Sequence, residues 1–279
     1  MNEIAQIVRL FASRPDESFA LATLVRAVGS SYRRPGARML IARDGERAGS
    51  VSAGCLEDEV AEAAREVIAT GKAQLLTFDT RRRFGCSGSI EVFVERASNE
   101  SLGALTHAVA ARQPCTFATA SGFVQQIEPV IRLVIIGAGP DGVALREQAR
   151  LLGWDTILIE SVADWNGEMD AWTAAVVATH NYGRDCAALR ELLPRGLRYV
   201  GVIGPRRRRD EMLSDALDAG ATIVSQPFAP AGLHLGAETA AEIALSIVAE
   251  IQATFSGTSG VPLSKRKAPI HEPNFTLAR

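Results

Sequence analysis

Residues 131–161, IRLVIIGAGPDGVALREQARLLGWDTILIES, hold two apolar runs separated by a glycine turn and an amphipathic stretch. The order reads as strand, turn, helix, strand. Gly137 permits the tight turn, Gly139 lets a pyrophosphate approach the backbone, and Gly142 allows close packing of helix on strand. A phosphate at that helix start meets free N–H groups and a favourable dipole. Glu160 closes the second run, where an acid would bind a ribose hydroxyl. Further apolar runs lie in TAAVVATH and LRYVGVIG, with helices predicted after them over 184–193 and 206–218. Continuous apolar strands alternating with helices imply a parallel sheet covered on both faces. Residues 129–255 therefore read as a Rossmann-like, doubly wound domain, completed by a short strand ATIVS (221–225) and a last helix in AETAAEIALSIVAEIQATF.

Residues 1–128 have a different texture. Ile4, Ile7, Val8 and Phe11 fall at helical spacing, which gives an amphipathic helix rather than an export signal. SFALATLVRAVGS, AQLLTFDT and SIEVFVE read as strands, and ARMLIAR with ERAGSVSAG as a hairpin around Asp44-Gly45. A helix over 55–70 sets Leu56, Val60, Ala63, Ala64, Val67 and Ile68 on one face and acids opposite, and Gly71 closes it. A further helix over 99–112 and strands in CTFATA and FVQQIE complete an α+β domain. Residues 256–279, rich in Gly, Ser and Pro with Lys265-Arg266-Lys267, read as a mobile tail or a partner-binding arm.

A chain of 279 residues suits two domains, and 47% apolar with 22% charged residues suits a soluble protein with a sizeable core. The net charge of −2 points to neither nucleic acid nor membrane as a general partner. No apolar run reaches the roughly 18 residues that span a bilayer. The expectation is a cytoplasmic protein, whose reducing surroundings disfavour a disulfide among its four cysteines.

Candidate site residues cluster at predicted strand ends. His180 follows the third strand and reads either as a general acid/base or ligand contact, or as a loop cap. Gly204, Pro205 and Arg206 to Arg209 follow the fourth. Four arginines entering a helix oppose its dipole, so they read as an anion site or a solvated basic face. Arg33, Arg34 and Arg38 flank Pro35-Gly36 and could extend that positive surface. Cys55 stands at the predicted N-cap of helix 55–70, where the helix end favours a thiolate and Glu57, Asp58 and Glu59 oppose it. Cys86 lies between Gly85 and Ser87-Gly88, where backbone N–H groups could form an anion nest. Two thiols among glycines, with no C-x-x-C pair, suit a soft metal or a persulfide better than a four-ligand zinc. Cys115 and Cys186 read as ordinary buried residues.

The chain resembles the xanthine dehydrogenase accessory family, XdhC/CoxI. The resemblance rests on Gly29-Ser30-Ser31-Tyr32-Arg33-Arg34-Pro35-Gly36-Ala37-Arg38-Met39, on Gly54-Cys55-Leu56-Glu57, and on Gly85-Cys86-Ser87-Gly88 before Ile90-Glu91-Val92. It continues through GAGPDG, the ATH strand end, GVIGPRRRR and the stretch Gly232 to Thr239, and covers residues 1–255. Departures are Ala53, Ser87 and Asn181, at positions where the family often has Gly, Gly and Asp. The resemblance implies a chaperone that binds the molybdenum cofactor (molybdopterin), supports its sulfuration with a cysteine desulfurase and inserts it into an apo molybdenum hydroxylase. It makes Cys55 and Cys86 candidates for contacting molybdenum or incoming sulfur. The segments around Gly137 and Gly204 become candidates for the phosphate or nucleotide part, and a homodimer is expected by analogy. The competing reading is an NAD(P)-dependent oxidoreductase with His180 as acid/base and Glu160 favouring NAD.

Overall fold

The computed structural model describes residues 3–29, 31–79 and 88–266. They form two compact units, one ending at Pro129 and the other starting at Val130.

The first unit is built on helix α1 (Glu3–Ser13), strands β1 (Phe19–Gly29), β2 (Arg38–Ala42) and β3 (Arg47–Gly49), helix α2 (Glu57–Thr70), strands β4 (Gln74–Asp79) and β5 (Gly88–Arg96), helix α3 (Asn99–Ala111), and the hairpin β6 (Cys115–Ala118) with β7 (Val124–Ile127). Five strands pair antiparallel in the order β3-β2-β1-β5-β4. Period-two alternation divides the core. Ala20, Ala22, Leu24, Met39 and Ile41 face α2, while Phe19, Leu21, Leu40 and Ala42 pack with residues of α1, α3 and the hairpin. The register sets Met39 opposite Gly49, Thr23 opposite Arg38, Gly29 opposite Gly88 and Asp79 opposite Ser89. The loop from Gly49 to α2 therefore leaves the sheet at the end where β4 finishes and β5 begins.

The second unit follows the strand–helix alternation: β8 (Arg132–Ile136), α4 (Pro140–Leu151), β9 (Asp155–Ile159), β10 (Thr173–Val177), α5 (Tyr182–Leu192), β11 (Tyr199–Val202), α6 (Arg206–Asp218) and α7 (Ala240–Phe255). Its four parallel strands run β11-β10-β8-β9. Val134, Ile136, Ala175 and Val177 pack with Leu189 and Met212 of α5 and α6, while Leu133, Ile135, Ala174 and Val176 pack with Leu145 and Ile247 of α4 and α7. Both faces are thus buried, as apolar parallel strands require. β9 lies on one side of β8 and β10 on the other, so the winding reverses between β8 and β10, and a crevice opens at their carboxyl ends.

Two expectations need correction. ATIVS is not a strand: Ala221 N–H bonds the end of α6 at Ala216 O, and Val224 N–H bonds Leu193 O. The edge beside β11 is taken by Phe228, which bridges Gly201 in parallel and stacks on Tyr199 at 4.3 Å. Burying that aromatic pair outweighs the β-propensity of Ile223 and Val224. The helix after β10 starts at Tyr182 rather than 184, because the Asn181 side chain caps it by accepting from Arg184 N–H. Lys267 and the rest of the tail lie outside the described residues.

Two glycines should respond oppositely to alanine. A Cβ on Gly142 would stand 2.0 Å from Gly137 O, whereas one on Gly103 in α3 meets nothing within 4 Å. Urea unfolding should show Gly142→Ala losing about 1–3 kcal/mol and Gly103→Ala gaining about 0.5–1 kcal/mol.

Candidate functional site

The crevice of the second unit is framed by glycine. Gly137 has φ +117, and a Cβ there would lie 2.4 Å from Ala178 O, so β8 and β10 approach as only glycine allows. Gly139 is the N-cap of α4, supplies no side-chain cap and has open space beside it. Asp141, in the first turn of α4, reaches across the crevice mouth, and its Oδ2 lies 2.8 Å from His180 Nε2. His180 holds φ +55, a left-handed conformation unusual for a residue with a Cβ, and its side chain is 55% exposed. The sequence marked His180 but not its partner Asp141, although both flank the same strand ends.

Glu160 follows β9, as expected for a ribose-reading acid, but it is engaged. Its carbonyl and Oε2 each accept from Arg184 Nη2 at 2.6 Å. The Arg184 hydrogen bond, outweighing some desolvation and helped by the Ala138 N–H, holds the Glu160 carboxyl below its usual range.

The four arginines after β11 separate into different roles. Arg208 bonds Asp185 Oδ2, and Asp185 is only 1% exposed. Thr179 supplies the other oxygen of Asp185 with its hydroxyl at 2.5 Å and its N–H at 3.3 Å. This buried carboxylate joins the end of β10 to α5 and α6. Sequence reading missed Asp185, although an acid just inside a helix start was its visible signal. Arg209 pairs with Asp210 and donates to Ala229 O, and Arg207 pairs with Glu211. Arg206 is exposed beside Gly204, with no charged partner among the described residues. A ligand anion therefore finds Arg206 free, Arg207 in a solvated pair, and the other two committed to the fold.

In the first unit, Cys55 sits one position before the N-cap, which is Leu56 rather than Cys55. The loop is organised by Ser52 and Glu57. Glu57 accepts from Ser50 Oγ at 2.8 Å, Ser52 N at 2.9 Å, Ser52 Oγ at 2.6 Å and Leu56 N at 3.1 Å. Burial pushes the Glu57 carboxyl up, but the Ser52 and Ser50 donors outweigh it and bring it down to about 2. Ser52 Oγ collects the N–H groups of Gly54 (3.2 Å), Cys55 (3.2 Å) and Leu56 (3.3 Å), and lies 3.6 Å from Cys55 Sγ. Gly54 turns at φ +101 with open space beyond it, and Cys55 is exposed.

Other predicted positions differ. Arg33 forms a two-pronged ion pair with Glu3 of α1. Arg38 is only 2% exposed, donates to Gly36 O and Gln125 Oε1, and lies 4.7 Å over the Phe117 ring. It therefore belongs to no exposed positive surface, and burial lowers its guanidinium to about 10. Cys86 lies outside the described residues. Cys115 is half-buried rather than buried, while Cys186 is buried on α5. Among the described residues no group of three His, Cys, Asp or Glu side chains could hold a metal, and no helix is long and apolar enough to cross a membrane.

Family models match both units: "XdhC and CoxI family" over residues 12–79 and "XdhC Rossmann domain" over residues 133–251. The chain belongs to the XdhC/CoxI family. A Bacillus subtilis (strain 168) protein, named as a probable xanthine dehydrogenase component, is 29% identical, over 84% of this chain and 92% of its own length. The Escherichia coli (strain K12) molybdenum cofactor insertion chaperone PaoD is 26% identical, over 83% of this chain and 81% of its own. Another protein of that organism, YqeB, is 26% identical over 90% of this chain, which spans 46% of YqeB. A crystal structure described as a xanthine dehydrogenase from Bacillus halodurans superimposes with a TM-score of 0.78 at 22% identity, over 96% of this chain and 98% of that one. The expected fold, an α+β domain followed by a Rossmann domain, is that of this family.

Two outcomes follow for the XdhC/CoxI site. Asp185→Ala removes the buried carboxylate that Arg208 and Thr179 share and should cost about 1–3 kcal/mol in denaturant unfolding, while Arg206→Ala should leave stability unchanged within about 0.5 kcal/mol. A depressed carboxyl contributes stability above its unfolded pKa and loses it as pH falls through the folded one. Carbon-detected NMR titration should therefore show Glu57 ionised at pH 4 with a midpoint about 2, and the loop loosening only as that value is approached.

Proposed function

We propose that this protein is a carrier of the molybdenum cofactor that delivers it to an apo molybdenum hydroxylase of the xanthine dehydrogenase type. The observation that carries this reading is the exposed thiol of Cys55 on a loop that Ser52 and Glu57 hold by internal hydrogen bonds. A cofactor that brings its metal on its own chelating group needs a soft donor and an anion-holding device, not a closed metal cage. Each unit by itself offers one such feature: the first a thiol at a glycine turn, and the second a helix start at Gly139 with open space beside it and, after β11, the exposed Arg206. Family membership and the name of the Escherichia coli relative, a molybdenum cofactor insertion chaperone, support the same role.

Support of sulfuration, with a cysteine desulfurase as partner and Cys86 as the second soft contact, is the finer part of the proposal. So are a cytoplasmic setting and a homodimer. A nicotinamide-dependent oxidoreductase finds less support, because Glu160, the acid expected to read a ribose, is engaged by Arg184.

Purified Cys55→Ala and Cys86→Ala variants test the proposal through bound molybdopterin and activation of a client hydroxylase. Cys55→Ala is expected to lower both about tenfold or more, in line with loss of an outer- or inner-sphere metal contact. Wild-type levels of both in that variant refute the role given to Cys55.

A further inference from the structure

Cys55 Sγ, Ser52 Oγ and Glu57 stand in a line that looks like nucleophile, relay and base. The geometry excludes a base. Glu57 Oε1 already accepts from Ser50 Oγ and Ser52 N–H, and Oε2 from Ser52 Oγ and Leu56 N–H. A carboxylate whose two oxygens each already accept two donors is poorly placed to take a further proton from the thiol. Ser52 gives its proton to Glu57 and keeps its oxygen for donors, so it accepts from the thiol and from three amides. At 8% exposure Ser52 is fixed in the fold, while Gly54 and Cys55, two of the three residues whose amides it gathers, are exposed.

We propose that Ser52 and Glu57 are positioning residues for Cys55: Glu57 fixes the Ser52 side chain, and Ser52 Oγ gathers the amides of Gly54, Cys55 and Leu56, presenting the thiol outward in one geometry before cargo arrives. This rests on Cys55 being the cargo-contacting thiol. Without the clamp, the cargo itself must order the loop, and affinity falls by that ordering cost. Neither residue takes a proton or touches the cargo.

The test uses the full chain as wild type, Ser52→Ala, Ser52→Thr, Glu57→Ala and Cys55→Ala. Amide hydrogen exchange is read at Gly54, Cys55 and Leu56, with Val60 to Ile68 of α2 as the internal report on folding. Retained molybdopterin is read beside it. Ser52→Ala and Glu57→Ala should exchange the three amides about tenfold faster and retain several-fold less cofactor, with α2 still protected, in keeping with loss of preorganisation. Ser52→Thr, which keeps the hydroxyl, should restore both, as a merely space-filling role would not. Should Glu57→Ala unfold α2, the two Ser52 variants decide alone. Equal exchange in wild type and Ser52→Ala overturns the clamp, whatever the cofactor does. Faster exchange with cofactor retention unchanged overturns its bearing on cargo. Retention that survives Cys55→Ala overturns the carrier reading itself, and the exchange rates then still judge the clamp separately.

Discussion

The second unit depends on one close approach, the backbone of Gly137 against the carbonyl of Ala178. Because no Cβ intervenes, β8 and β10 converge at their carboxyl ends, and α4 starts directly above them. The other features of the crevice inherit their places from that contact. Asp141 in the first turn of α4 comes within hydrogen-bond distance of His180, and Thr179, two residues beyond β10, is aimed at Asp185. A side chain at position 137 would push the strands apart and misplace all four residues together.

The first unit obeys a different constraint. Its antiparallel sheet has both faces covered, so its polar loops are confined to the ends of the strands. The Cys55 loop leaves from the end where Gly49, Arg38, Gly29 and Gly88 lie. There Val51 and Leu56 anchor the loop in the core, and between them local hydrogen bonding is the source of order. Ser52 and Glu57 supply it, with four donors on one carboxylate and three amides on one hydroxyl. This is the economy of an Asx- or ST-type turn extended over several residues.

How much the sequence reveals follows from how local each signal is. The glycine turn and the parallel strands are legible because continuous apolar runs and glycine spacing are local consequences of the fold. The strand in ATIVS misleads because its β-branched residues satisfy propensity, whereas the edge beside β11 is awarded by a distant aromatic contact between Phe228 and Tyr199. The same division holds at the site. Cys55, His180 and the arginine run are visible from their glycine and strand-end settings. The partners Asp141 of His180 and Asp185 of Arg208, and Arg184 on the predicted Glu160, sort free charges from committed ones, and pairing across strand ends is a tertiary fact. Arg206 and Arg208 look identical in sequence, yet one meets solvent and the other a buried carboxylate.

Arg38 carries a consequence of another kind. It is buried with neutral acceptors on one side of its guanidinium, an aromatic face nearby, and two nitrogens, Nε and Nη2, without hydrogen-bond partners among the described residues. An apolar residue of similar size would serve stability as well or better. What a charge at this position confers is selectivity over its cover. Only a hairpin that brings an amide oxygen, as Gln125 does, and an aromatic ring, as Phe117 does, can close over β2 without leaving the cation wholly unanswered. The β6–β7 hairpin is therefore keyed to its seat, and a strand slipped by one residue would turn Gln125 away from Arg38.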